Sequence, residues 1–329
     1  MNELKTRLEK IKKLKNEVDS ILLLGNDPNF FYFTNSYANE FFLYDFRKPR
    51  IISTTMGEQQ VKASWVKNIK TIDVINTKKK FLDLVLENVK GVVGVNKKSM
   101  NAGLFGKIKR KASVRDVSDE LDEARTTKTN YEIRQIKKSC SINRKVFQKI
   151  NGDIRNGISE QELCGLTEYE VRRRGAQPFV IVAFGKNTAS PHHEATDKKL
   201  RKGEPVLIDL VCRYKGYHSD VTRTFRSSLV SRMEKIMEEV TEMIEPGMKA
   251  RRLDEHVRKQ LGGRFTTSLG HGIGVAVHER PWLYRKSKDI LKEGMVFAIE
   301  PGLYLKNQGA RLENDFLLTK RGFANLTNF

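Results

Sequence analysis

No stretch of this 329-residue chain is apolar for long enough to cross a membrane. The densest, ILLL at positions 21–24, falls far short of the ~20 residues a helical span needs. The first twenty positions, MNELKTRLEKIKKLKNEVDS, carry charges throughout and lack the uninterrupted apolar core of a secretory signal, so the expectation is a cytoplasmic protein. Cysteine is scarce. Cys140, Cys164 and Cys212 are odd in number, widely spaced and without a CxxC, which excludes a disulfide framework and a zinc knuckle and fits a reducing compartment. HExxH, the phosphate-binding P-loop and the GxSxG elbow are absent, and Gly270, Gly272 and Gly274 do not form a dinucleotide loop. Negative charge is in deficit: 61 Lys and Arg against 40 Asp and Glu give a net +21. The excess is shared along the chain in short clusters, such as KKK at 78–80 and KIKRK at 107–111. No nucleic-acid-binding motif accompanies it, so it reads as a Lys-rich surface, with a polyanion partner such as nucleic acid as the alternative.

What is present describes a globular chain, 39% hydrophobic and 31% charged, whose length favours two domains. Leu4, Leu8, Ile11, Leu14 and Val18 recur at helical spacing and predict one amphipathic helix. Strands follow at SILLLG, PRIIST, TIDVI and GVVGVN, with a helix at FLDLVLENV, so residues 1–125 read as a small α/β domain. The aromatic segment NFFYFTN at 29–35 reads as a buried strand or as material for contact with a second copy. The polar run ARTTKTN at 124–130 marks the boundary, and residues 126–329 form the second domain. There the order is two helices and a strand pair, twice over. Ile133 to Ile150 and the capping-box spacing Ser159 to Glu162 start the first unit, and the stripes Met233 to Ile244 and Leu253 to Leu261 start the second. Such repetition implies one domain with pseudo-twofold symmetry.

Each repeat carries a pair of acids. If the turn of LIDLVCRYKGYHSDVTRTF is centred between Tyr214 and Lys215, Asp209 and Asp220 stand opposite each other on one face, with Leu207 and Val211 suggesting burial. A buried pair of carboxylates needs a cation or a shared proton. Glu300 and Glu313 are likewise symmetric about Lys306-Asn307, although Pro301 and Gly302 interrupt a simple ladder. Four carboxylates converging on one pocket call for about two divalent metals, and His271, in SLGHGIGVAVHE, is the candidate to complete the shell.

The segments PHHEATDKKLRKGEPVLIDL, GYHSDVTRTF, GHGIGVAVHERP, EGMVFAIEPGLYL and ARLEN, in this order, resemble the pita-bread metallopeptidases, in the branch of prolidases (Xaa-Pro dipeptidases) and aminopeptidases P. The resemblance covers about 131–320, and the preceding part is similar to that branch's smaller domain. It implies an α+β fold: a C-terminal pita-bread (creatinase/aminopeptidase-like) catalytic domain at 126–329, preceded by a creatinase-type α/β domain at 1–125. The implied metal ligands are Asp209, Asp220, His271, Glu300 and Glu313, with Asp220 and Glu313 contacting both metals. Two divalent ions, Mn²⁺ or Co²⁺ first and Zn²⁺ or Fe²⁺ as alternatives, would support hydrolysis of an Xaa-Pro bond by a metal-bridging hydroxide. Glu300 would shuttle the proton, and His192 and His278 would hold the substrate, the adjacent His193 leaving a one-residue ambiguity. Arg280 and Arg285 are candidates for closing the pocket around a product carboxylate. Val211 departs from the family, which commonly has Gly there. A homodimer is also implied. The substrate expected is an Xaa-Pro dipeptide, with longer peptides as the alternative and a binding module of the same fold as the remote one.

Overall fold

The computed structural model describes residues 3–329, which fall into two compact units divided between Arg125 and Thr126. In the first, a six-stranded sheet runs in the order Ile69–Ile72, Pro49–Thr54, Phe41–Tyr44, Ser20–Leu24, Val92–Val95 and Ser113–Asp116. Its buried centre is mostly aliphatic, with Leu22, Ile52, Val93 and Val95 fully enclosed. The amphipathic N-terminal segment is not one helix. An α-helix at Glu3–Lys10 gives way to a 3₁₀ turn at Lys12–Asn16, and because residues three apart eclipse in that geometry, Ile11 and Leu14 remain buried together. Met1 and Asn2 of the predicted helix lie outside the described residues. The aromatic segment is a helix, Pro28–Thr34, and not a strand. Asp27 caps it by accepting the Asn29 N–H at 2.8 Å, and Pro28 sits at the first turn where its missing N–H costs nothing. Asp-Pro therefore overrides the β-propensity of the aromatic run, and Phe30 to Phe33 are buried in their own unit.

The second unit opens with α1 (Asn130–Ile150) and α2 (Glu160–Arg172), each started by a reciprocal capping box, Thr129 with Glu132 and Ser159 with Glu162. They cover an antiparallel sheet of β1 (Gln177–Phe184), β2 (Val206–Tyr214) and β3 (Tyr217–Phe225). The order then recurs. Helices α3 (Val230–Glu242) and α4 (Arg251–Leu261) precede β4 (Gly270–Gly272), β5 (Glu279–Leu283), β6 (Val296–Ile299), β7 (Gly302–Tyr304), β8 (Gly309–Arg311), β9 (Asn314–Thr319) and β10 (Gly322–Asn325). The larger sheet runs β5-β4-β6-β9-β10, and β7 pairs with β8. Each half has its own core: Val146, Leu163, Val182, Ile208 and Val221 in the first, Met233, Val240, Leu253, Phe297 and Phe316 in the second. Burying side chains of this size contributes ~1.5–3 kcal/mol each, which holds both sheets rigid enough to carry a site. Among the described residues no helix is long and apolar enough to cross a membrane.

The first hairpin is displaced from its expected register. Its two turn residues are Lys215 and Gly216, both at positive φ (47° and 87°), the backbone of a type I′ turn for which glycine at the second position is suited. Tyr214 therefore pairs with Tyr217, Asp209 lies opposite Thr222, and Asp220 lies opposite Val211. The aspartates do not face each other directly. Side-chain direction repeats every two residues, and the slip is by two, so both still project from the same face. In the second pair, β6–β9 and β7–β8 share one register, Ile299 to Asn314 and Gly302 to Arg311, which brings Glu300 and Glu313 opposite each other at the break between the ladders. Freed from that ladder, the Glu300 N–H donates to Leu269 O at 2.8 Å and the Glu313 N–H to Thr222 O at 3.1 Å.

Candidate metal centre

The two halves meet along β3 and the strands that flank Glu313. Thr224 Oγ1 donates to Arg311 O at 2.9 Å, Thr222 Oγ1 to Glu313 Oε2 at 2.7 Å, and the Asp220 N–H to Asp315 Oδ2 at 2.9 Å. These bonds bring the acids of both repeats together. Three sets of potential ligand atoms each lie within 4.8 Å of one another: Asp209, Asp220 and Glu313; His271, Glu300 and Glu313; and Asp220, His271 and His278. Asp220, His271 and Glu313 each belong to two sets.

His271 reaches the cluster because its flanking glycines allow close packing. A Cβ on Gly270 would stand 2.1 Å from Ala298 O, and one on Gly272 would stand 2.3 Å from Arg280 O. The ring's Nδ1 lies 3.2 Å from Gly272 O, which assigns it the proton and leaves Nε2 as a lone pair. That Nε2 points at the acids, 3.9 Å from Asp220 Oδ2 and 3.7 Å from Glu300 Oε1. Burial, and then the neighbouring His278, drive its pKa down to about 3, so it stays a neutral donor.

Charge is concentrated to a degree that the protein alone does not compensate. Two carboxylates at this spacing repel by roughly 3–4 kcal/mol at an effective dielectric constant of ~20. Burial pushes Asp220 and Glu313 well above the ordinary carboxylate range, with the surrounding acids adding to the shift. Glu300 is pushed up to about 7, by burial against the opposing pull of Arg311. Arg311 is the nearest cation. It donates to Asp209 Oδ2 at 2.5 Å, Thr222 Oγ1 at 3.0 Å and the Tyr304 hydroxyl at 2.7 Å. One guanidinium does not balance four carboxylates. Asp209 Oδ1 and Asp220 Oδ1 are buried with no hydrogen-bond partner, as expected of oxygens that await a cation. Carboxylates with one imidazole Nε2 are a donor set suited to hard or borderline divalent ions.

The histidines of the first half separate cleanly. His193 is tied down, its Nε2 2.8 Å from Glu160 Oε2 and 3.3 Å from Asn187 Nδ2. His192 and His278 are both exposed, and partial desolvation, followed by the nearby His192, lowers the His278 pKa. His278 stacks edge-on against His271 with ring centroids 4.2 Å apart. A cavity of about 570 Å³, lined in part by Cys164, Phe179, Ile181 and His192, adjoins this side. Arg280 is held by the buried carboxylate of Asp289 through Nε at 2.9 Å, and Arg285 lines a separate cavity with Arg258. Val211 is nearly buried directly across from Asp220.

Sequence reasoning missed Thr222 and Asp315, which bind the two halves. Each lies two positions beyond an acid, Asp220 and Glu313, and so shares its face; period-two alternation was the available signal.

The chain matches the family model described as metallopeptidase family M24 over residues 134–320. It is 31% identical to the Xaa-Pro dipeptidase of Pyrococcus horikoshii across 97% of each chain. The crystal structure of the prolidase from Pyrococcus horikoshii superposes with a TM-score of 0.89 at 29% identity, covering 100% of this chain and 98% of that one. The X-Pro aminopeptidase of Thermotoga maritima gives 0.84 at 27% identity, covering 95% and 96%.

Proposed function

This chain belongs to metallopeptidase family M24, and from that premise we propose that it hydrolyses the Xaa-Pro bond of dipeptides. The observation that carries the reading is the convergence of Asp209, Asp220, His271, Glu300 and Glu313, with two buried carboxylate oxygens lacking any protein partner. These five residues would hold two divalent ions, Mn²⁺ or Co²⁺ foremost, with Zn²⁺ or Fe²⁺ as alternatives. Bound there, the ions supply Lewis acidity, acidifying water and polarising the scissile carbonyl.

The side chains around them do the rest. Glu300, whose carboxylate faces His271 within the cluster, would accept a proton from the attacking water and deliver it to the prolyl nitrogen as the C–N bond breaks. His278 and His192 flank the cluster on the open side, where they would donate to the carbonyl oxygen as negative charge develops on it. A homodimer in the cytosol is part of the same proposal, and the +21 charge leaves a secondary polyanion interaction to be tested by salt-dependent retention on heparin.

Metal-stripped protein supplied with Mn²⁺ or Co²⁺ is expected to cleave an Xaa-Pro dipeptide; folded protein inactive with both would refute the proposal. A second reading, cleavage of longer peptides as an aminopeptidase P, is favoured by the engagement of Arg280 with Asp289, which removes one guanidinium from recognition of a free carboxylate. Comparing Xaa-Pro with Xaa-Pro-Yaa-Zaa separates the two.

A further inference from the structure

His278 sits at the end of a loop that the sheet alone does not hold. Between β4 and β5 the ladder shifts: His271 pairs with Trp282, but Gly272 pairs with Glu279, and the intervening chain loops out to carry His278 over His271. Two contacts from elsewhere in the second unit fasten this loop. From β3, His218 brings both its backbone N–H, at 2.8 Å, and its ring Nδ1, at 3.0 Å, to Gly274 O. From the segment before α1, Lys128 Nζ meets Glu279 Oε1 at 2.7 Å, with side-chain exposures of 0% and 2%. The other oxygen of Glu279 accepts the Ala276 N–H at 3.2 Å, so one carboxylate ties Lys128 to the middle of the loop. Gly274 makes room for this pair, since a Cβ there would stand 2.5 Å from Glu279 Oε1 and 3.2 Å from Lys128 Cε.

A fully buried Lys–Glu pair is a poor source of net stability, because desolvating both charges offsets their attraction. The chemistry proposed above does not use either charge. What the pair does is fix the residue adjoining His278 to a point on the backbone frame: the Lys128 N–H donates to Gly294 O at 2.8 Å, just ahead of β6. We infer that Lys128 and Glu279 are positioning residues whose buried ion pair holds the 272–279 loop so that His278 stands over the metal centre. The inference rests on the catalytic reading for its consequence in turnover but not for its structural content.

The test replaces the pair by apolar residues, Lys128→Met with Glu279→Leu, alone and combined with His278→Ala, and takes two readouts. The first is the nuclear Overhauser contact between the ring protons of His271 and His278 in histidine-labelled protein, which needs no activity. The second is kcat and KM on an Xaa-Pro dipeptide. The expected result is loss of the ring contact with a fall in kcat of roughly 10–100-fold, the scale of a misplaced catalytic group, and little change in KM. In the His278→Ala background the same substitutions should change kcat by less than about twofold, because they act through a side chain already removed. A retained ring contact, or a loss of kcat that adds in full to that of His278→Ala, overturns the inference. Where melting shows that the double variant has lost its fold, Glu279→Gln, which keeps the volume and removes one charge, takes its place under the same readouts. If the wild type cleaves no Xaa-Pro substrate, the functional reading fails while the ring contact still decides the positioning role.

Discussion

Thr222 illustrates how much of this site depends on uncharged partners. Its hydroxyl donates to Glu313 and accepts from Arg311, so a single oxygen orients an acid that belongs to two ligand sets. Thr222→Val keeps the shape and removes both bonds. Calorimetry with Mn²⁺ should show binding weakened by ~10–100-fold, the usual effect of losing a partner behind a ligand; unchanged affinity would mean Glu313 is oriented by backbone alone. The adjacent histidines divide differently. His193→Ala should cost about 1–2 kcal/mol in denaturant unfolding, since it removes one of the partners of the buried Glu160, and leave turnover close to wild type. His192→Ala should do the reverse, leaving stability unchanged and lowering kcat by roughly 100-fold if it donates to the developing oxyanion. At this scale the sequence was readable where chemistry has a local signature, in acids at fixed spacing and a glycine-flanked histidine. Lys128 and Glu279 are 151 positions apart, and no local pattern relates them.

At the level of elements, the β2–β3 hairpin shows why a face is easier to foresee than a register. Alternation placed Asp209 and Asp220 on the same side, and any slip by two preserves that. The turn itself was misplaced by one residue because Tyr-Lys and Lys-Gly are both plausible centres until positive φ at Lys215 and Gly216 is known. Gly216→Ala should therefore cost about 1–2 kcal/mol, read from the urea midpoint, because an alanine is strained there. Metal stoichiometry should be kept, since the ladder beyond the turn is long; a loss would mean the turn alone sets the register. The Asp27-Pro28 start of the aromatic helix was legible as a cap, but the β-rich residues after it argued the other way. The acid pair Glu300 and Glu313 was placed correctly because Lys306-Asn307 does form the turn, closed by the Leu305 N–H on Gln308 O at 2.8 Å.

For the molecule as a whole, the buried acids make stability a function of pH and of bound cations. Burial raises Glu300 and Asp315 to about 7, and it raises Asp220 and Glu313 well above the ordinary carboxylate range. Burial also lowers His271 to about 3 and His218 to about 4. At about pH 7 these imidazoles are neutral in the folded chain and mostly neutral in the unfolded one, so the carboxyls dominate the slope. There the folded metal-free protein retains protons that the unfolded chain, titrating near 4, has already released. The folded state binds more protons, so its stability must fall as pH rises from about 4 through about 7 for Glu300 and Asp315, with Asp220 and Glu313 acting in the same direction. Divalent ions replace those protons, so binding should release protons and should tighten as pH rises. Melting temperatures of metal-stripped protein should therefore decline between roughly pH 6.5 and 7.5, while Mn²⁺-loaded protein stays level or climbs. A metal-stripped protein whose melting temperature rises over that range would show that the acids are already ionised and compensated by the protein itself, and the case for a cation-dependent cradle would fail with it.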